Sequence, residues 1–141
     1  MMRPNLILMS HGNLASTLIE SAKIILGDLS DYYTIDMPQN VSSNEIEEKL
    51  KSILDKHKNR DILIMTDLYE GAAFNIASKF YRKSDNICLI SGMNLDMIIE
   101  YFTSDLYYNS KKFIDEIISV SKDSISLYSK NEYELYADIN L

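Results

Sequence analysis

Cysteine is almost missing from this chain: Cys88 is the one thiol among 141 residues. That excludes an internal disulfide and fits a reducing compartment. Cys88 lies inside the apolar run Ile87-Cys88-Leu89-Ile90, where a thiol reads as a buried structural side chain. Long apolar runs are missing too. None approaches the roughly 18 residues of a membrane span, and Met1-Met2-Arg3-Pro4 leads into no signal peptide. The chain is therefore expected to be soluble and cytoplasmic. Positive charge is in deficit, with 14 Lys and Arg against 21 Asp and Glu and a net charge of −7. No basic cluster offsets it, which argues against a nucleic-acid role. A basic protein partner steered by charge remains compatible.

Several chemistries are excluded by their missing motifs. No glycine-rich loop runs into Lys-Ser or Lys-Thr, so there is no nucleotide-binding P-loop. No spacing of His, Cys and Asp suggests a metal site. Ser10 stands outside any G-x-S-x-G pattern, so it is not a hydrolase nucleophile. No cofactor is implied. Neither repeats nor low-complexity segments nor linkers interrupt the chain, and its length fits one domain. That domain is expected over residues 1–129, with a loosely held tail at 130–141.

What the chain does contain is an alternation of strands and helices. Leu6 to Met9 is a short apolar run that stops at Ser10-His11-Gly12, after which an amphipathic pattern begins. Asn13 is placed to cap a helix whose face carries Leu14, Leu18, Ala22, Ile25 and Leu26, with Gly27 at its end. Tyr32 to Asp36 is rich in β-formers. Ser42 and Glu45 form a capping box ahead of a second helix with Ile46, Leu50, Ile53 and Leu54 inward, and His57 among lysines suits its carboxyl end. Asp61 to Thr66 reads as a strand buried on both faces. A third helix starts near Ala72, with Phe74, Ala77 and Tyr81 or Phe80 turned inward. A fourth strand spans Ile87 to Ile90, followed by a helix over Leu95 to Phe102. Another helix over Lys111 to Val120 carries Phe113, Ile114, Ile117 and Ile118. Asp123 to Tyr128 alternates polar and apolar residues as a strand does.

Four such alternations predict an α/β fold, a doubly wound parallel sheet of four strands flanked by helices. Right-handed crossovers put every strand-to-helix turn on one edge, which is where such sheets place their ligands. Three turns should meet there: Ser10-His11-Gly12, Asp67 to Gly71, and Gly92-Met93-Asn94. An imidazole acts as a nucleophile near neutral pH when a carboxylate fixes its tautomer and leaves the other nitrogen free. Asp67 is the candidate partner for His11. The amides at the start of the third helix could hold a dianionic phosphoryl group without a metal. Each piece also has a structural reading, as turn, cap or tight bend. On residues alone the reading stops at a His11–Asp67 site of open function.

The chain resembles the enzyme IIA component of the mannose family of the bacterial sugar phosphotransferase system, from about Asn5 to Tyr128. The resemblance rests on Ser10-His11-Gly12, on Asp67 to Asn75 (DLYEGAAFN), and on Ser91-Gly92-Met93-Asn94-Leu95 with Met97. It implies that His11 is phosphorylated by the carrier protein HPr and passes the phosphoryl group to a IIB component, with a membrane permease involved only indirectly. It implies that Asp67 orients His11 and that Gly12, Gly71, Ala72 and Ala73 offer backbone amides to the phosphoryl group. Ser10, Leu68, Tyr69, Glu70, Phe74, Asn75, Met93 and Asn94 would line the site. It further implies a homodimer in which the strand near Ser124 to Tyr128 adds antiparallel to the partner's sheet. Two positions depart from the family's Gly-Gly-Ser-Pro-Phe-Asn turn. Ala72 lacks the hydroxyl that would bond the phosphoryl group, and Glu70 brings a like charge near a dianion. The phosphohistidine is therefore expected to be more labile than in typical relatives. The other functions compatible with the pattern are a phosphoryl shuttle to a dihydroxyacetone kinase and a regulatory module that senses phosphorylation.

Overall fold

In the computed structural model the described residues are 2–130. Four strands, β1 (Asn5–His11), β2 (Tyr32–Met37), β3 (Ile62–Thr66) and β4 (Ile87–Ser91), form one sheet in the order β2-β1-β3-β4. Every pairing is parallel. The α/β, doubly wound expectation is correct. Helices α1 (Leu14–Leu26), α4 (Leu95–Thr103) and α5 (Ser110–Asp123) cover one face, and α2 (Ser43–Lys56) and α3 (Ala72–Tyr81) the other. A short 3-10 turn at Leu106–Tyr108 links α4 to α5.

The central strands carry apolar runs, Leu6 to Met9 and Ile62 to Met65, because both of their faces are covered. Leu6 and Leu8 point to the layer holding Ala15, Ile98 and Phe113, while Ile7 and Met9 point to the layer holding Ile46, Leu50 and Ala77. This is the period of two expected of strands buried on both sides. The order of strands reverses between β1 and β3, since β1 is followed by β2 on one side and β3 lies on the other. That reversal opens a crevice at the carboxyl ends of the two strands.

Two helices are rotated relative to their predicted faces. On α1, Ala15, Ile19 and Ala22 are buried, whereas Leu14 and Ile25 are exposed. The cause lies at the helix start. Asn13 occupies the cap position but makes no side-chain cap bond. Instead, buried Ser10 Oγ accepts from the Ala15 amide at 2.7 Å. Asp36, at the end of β2, accepts from the Ser16 amide at 3.1 Å and from Ser16 Oγ at 2.5 Å. These bonds turn Ala15 toward the sheet, and the small alanines let the helix approach closely. On α3, Ala73, Ile76 and Ala77 form the buried face, with Phe80 packed beside them and Tyr81 exposed. Phe74 leans instead on Tyr69, with ring centroids 5.0 Å apart.

The Ser42 cap on α2 is present, accepting from the Glu45 amide at 3.2 Å. His57, at the end of that helix, pairs through Nε2 with the Tyr33 hydroxyl at 2.7 Å. The strand expected at Ser124 to Tyr128 is not formed in this chain. Helix α5 runs on to Asp123, Ser124 caps it, and residues 125–129 have no strand geometry, with Ile125 and Leu127 standing 82% and 88% exposed. Alternation of polar and apolar residues marks a strand only where a sheet edge receives it, and no edge of this chain does so here. Of the tail expected at 130–141, residues 131–141 lie outside the described residues.

The two candidate caps of α1 are separable by mutation. Asp36→Ala is expected to lower stability by about 1–2 kcal/mol in urea unfolding, and Asn13→Ala by less than about 0.5 kcal/mol. A larger loss for Asn13→Ala would show that the cap has been assigned to the wrong residue.

Candidate active site

His11 is the last residue of β1, and Asp67 directly follows β3. The two strands are hydrogen-bonded neighbours, in register through Met9 and Thr66. Their ends therefore deliver the two side chains to the same crevice. Asp67 Oδ2 accepts from the His11 backbone N–H at 2.8 Å and pairs with His11 Nδ1 at 2.8 Å. Its other oxygen accepts from the Leu68 amide at 2.9 Å. An ionised carboxylate can only accept, so Nδ1 carries the proton and the lone pair of the neutral ring is on Nε2. The His11 side chain is 53% exposed and that of Asp67 only 8%. Burial alone would push the Asp67 carboxyl upward. The hydrogen bonds from the His11 amide, the His11 ring and the Leu68 amide outweigh it and hold the group below its ordinary value.

The turn after Asp67 wraps against the imidazole. Gly71 is required by close approach: a Cβ there would lie 3.0 Å from Leu68 Cβ, 3.2 Å from the Leu68 carbonyl oxygen and 3.6 Å from His11 Cε1. Glu70 is held in the left-handed region at φ 61°, a conformation costing a side-chain-bearing residue about 1–2 kcal/mol relative to ordinary backbone. Asn75 Nδ2 fastens the turn by donating to the Glu70 carbonyl at 3.1 Å. Leu68 and Tyr69, which follow Asp67, are largely exposed, as is Leu14 at the start of α1.

The structure narrows the expected phosphoryl-binding amides. The Gly12 amide donates to the Met37 carbonyl at 2.8 Å, and the Gly71 amide to the Leu68 carbonyl at 3.1 Å. Both are already used by the turns that carry them. Ala72 and Ala73, in the first turn of α3, have no acceptor among the described residues, and the same holds for Phe74. Orphan amides at a helix start are the usual cradle for an anion. In α1 the Ala15 and Ser16 amides are taken by Ser10 and Asp36, and in α4 the Met97 amide by Asn94, so α3 keeps the longest run of open leading amides among the described residues.

Three residues expected to line the site serve the scaffold instead. Ser10 is fully buried beneath α1. Met93 is a core residue of the α1/α4/α5 layer whose amide donates to the Thr66 carbonyl at 3.0 Å. Asn94 caps α4, its Oδ1 accepting from the Met97 amide at 2.9 Å. Their place in a turn is right, but their side chains hold that turn in position. Sequence reasoning missed Asp36. The available signal was an acid next to the end of a β-forming run that stops before Pro38, but its partner became visible only once β2 was known to lie beside β1. No group of three or more potential metal ligands occurs among the described residues, and none of their helices is long and apolar enough to cross a membrane.

The chain is a doubly wound α/β domain with a carboxylate-held, half-exposed histidine at its switch point, an arrangement able to support nucleophilic or transfer chemistry at that ring. Comparison with known proteins is more specific. The family described as the PTS system fructose IIA component, EIIA-man, matches residues 5–118, and the chain belongs to that family of phosphotransferase-system IIA components. The chain is 23% identical over 126 residues to the sorbose-specific EIIA component of Lacticaseibacillus casei, covering 89% of this chain and 91% of that one. It is 21% identical over 131 residues to the fructose-specific EIIA component of Bacillus subtilis, covering 90% and 88%. Among solved structures, the mannose/sorbose-specific IIA subunit from Enterococcus faecalis superposes with a TM-score of 0.84 at 27% identity, over 91% of this chain and 96% of that one.

The lowered Asp67 value sets a pH dependence. A carboxyl depressed in the fold contributes stability above its unfolded value, near 3.8. That contribution is lost as pH falls through the lower folded value. The stability difference between wild type and Asp67→Asn is thus expected to be largest near neutral pH and to shrink below about pH 4. Chemical denaturation across that range measures it. A difference that stays constant with pH would mean that the carboxylate is not held in this way.

Proposed function

We propose that this chain is a phosphoryl carrier of a sugar phosphotransferase system, taking the phosphoryl group from phosphorylated HPr onto His11 and passing it to a IIB component. The observation that carries this reading is the His11–Asp67 pair, which commits Nδ1 to the carboxylate and leaves Nε2 facing outward. The Nε2 lone pair forms the new P–N bond as the donor's P–N bond breaks, and the donor ring keeps that electron pair. The charge gained by the His11 ring is met by Asp67. The phosphoryl oxygens are met by the amides at the start of α3 and by the positive end of its dipole. Transfer onward reverses these steps with an acceptor histidine. No metal or cofactor enters the scheme.

The exposed Leu68 and Tyr69 next to Asp67, and Leu14 three residues after His11, suit docking of a protein donor and acceptor, since their apolar area would be covered when a partner is bound. The relatives named above, sorbose- and fructose-specific EIIA components, favour a sugar system over a dihydroxyacetone kinase as the destination. In the same reading the protein works in the cytoplasm as a homodimer. The support for a dimer is that β4 is an edge strand and that residues 125–128 leave Ile125 and Leu127 uncovered. An antiparallel addition of this segment to a partner's sheet would satisfy both.

Incubation with phosphoenolpyruvate and the general phosphotransferase components should label wild type on His11 Nε2, as read by phosphorus NMR, and leave His11→Ala unlabelled. Equal labelling of the two proteins would sink the proposal. Asp67→Asn should slow labelling by about 10²-fold or more, because an amide offered to Nδ1 favours the wrong tautomer. Glu70→Gly removes both the left-handed strain and the like charge. It should raise stability by about 1 kcal/mol and lengthen the phosphohistidine half-life several-fold relative to wild type. An unchanged half-life would show that Glu70 does not act on the phosphoryl group.

A further inference from the structure

At the opposite edge of the sheet from His11, the segments entering β1, β2 and β3 surround a cavity of about 510 Å³. Its lining includes Arg3, Asp28, Asp31, Arg60, Phe102 and Tyr107. Arg3 has no carboxylate partner among the described residues, and Arg60 has only a long ion pair with Asp31. The Arg3 guanidinium donates through Nη2 to the Ser104 carbonyl at 3.0 Å and lies 4.5 Å from the Tyr107 ring centroid. It has no carboxylate within 4 Å among the described residues, and its Nε is buried without an acceptor. The Arg60 guanidinium gives Nη2–H to the Arg3 carbonyl at 2.8 Å, while Nη1 stands 3.8 Å from Asp31 Oδ1. That separation is too long for a direct hydrogen bond.

Asp31 adds a second, independent sign. It is held at φ 62°, and a residue carrying a side chain in the left-handed region stores strain of a kind that clusters at binding sites and ligand clamps. Its half-exposed carboxylate stands on the cavity rim, 3.8 Å from the Arg60 guanidinium. Two guanidinium groups lining one cavity suit a phosphate, which takes planar N–H forks. A bare anion would still face Asp28 and Asp31. A ligand that joins a phosphate to several hydroxyls removes the conflict, because hydroxyls donate to carboxylates, and its carbon skeleton can lie against Phe102 and Tyr107.

We propose that this cavity is a binding site for a small phosphorylated sugar, distinct from the His11 site. Its phosphate sits between Arg3 and Arg60, and its hydroxyls donate to Asp28 and Asp31. The assignment is independent of the chemistry at His11 and stands or falls without it.

The test is an amide NMR titration of the full chain with glucose 6-phosphate, glucose and inorganic phosphate. Glucose 6-phosphate is expected to bind saturably, with shifts confined to residues 26–31, 60 and 101–107. Glucose and inorganic phosphate should bind at least about tenfold more weakly. Arg60→Gln should weaken glucose 6-phosphate at least tenfold, and Asp31→Gly, which relieves the strained backbone while removing the carboxylate, should also weaken it. His11→Ala should bind as wild type does. If Arg60→Gln fails to fold, the mapping on wild type and the Asp31→Gly titration decide the matter. The proposal is overturned by no saturation up to about 10 mM, by shifts that map to residues 10–12 and 67–75, by inorganic phosphate binding equally well, or by undiminished affinity in Asp31→Gly.

Discussion

One carboxylate oxygen, Asp67 Oδ2, accepts from both the backbone amide and the ring of His11, and the active edge of the molecule depends on that double acceptance. A bond to the ring alone would fix the tautomer but leave the end of β1 free to shift. A bond to the amide alone would fix the strand end but leave the imidazole to rotate. Both together determine where the ring is and which nitrogen it presents. The geometry is available only because β1 and β3 are parallel neighbours whose pairing ends at Met9 and Thr66, so that His11 and Asp67 emerge over the same crevice. Hydrogen bonds to a charged group are worth about 1.5–3 kcal/mol each, and they outweigh the penalty of sheltering the carboxylate.

The two helices nearest the site divide its labour. Helix α1 begins just after His11 and would be the obvious anion cradle, yet Ser10 and Asp36 already take its Ala15 and Ser16 amides. A dianion there would meet the Asp36 carboxylate and lose the interaction energy a helix start offers. Helix α3 begins with Gly71, which carries no side chain and allows the turn to touch the imidazole. Its leading amides remain open. The strained Glu70 is part of the same construction, since a left-handed residue is what lets the chain reverse from Asp67 into α3 within so few positions. Asn75, reaching back to the Glu70 carbonyl, offsets part of that strain.

Local patterns in the sequence made the strand–helix alternation legible, and with it the meeting of His11 and Asp67. Apolar runs such as Leu6 to Met9 and Ile62 to Met65 read clearly because strands buried on both faces admit nothing else. What the sequence did not make legible depended on neighbours distant along the chain. Asp36 acts on Ser16, and this requires the side-by-side placement of β1 and β2. The rotation of α1 follows from that contact, so a face chosen by counting leucines put Leu14 inward when Ala15 is the buried residue. Met93 and Asn94 sit in the right turn, but whether such residues face the crevice or the core is decided by how α4 seats on the sheet. The alternation at Ser124 to Tyr128 asks for a sheet edge that a single chain does not supply.

The rigidity of β1 limits how its two ends can influence each other. The strand runs from the arginine-lined cavity beside Pro4 to His11, is paired on both sides, and is buried until its last residue. Nothing in it offers two alternative arrangements, which coupling between sites requires. A ligand at the far edge therefore has no differential grip on the position of the imidazole, and tight binding without such a difference shifts no equilibrium at His11. It would instead stabilise the whole fold by mass action, by about 2.7 kcal/mol at a hundredfold excess over its dissociation constant. Occupancy of that edge would then be read in resistance to unfolding and in the lifetime of the protein, and the chemistry proposed at His11 would proceed at the same rate.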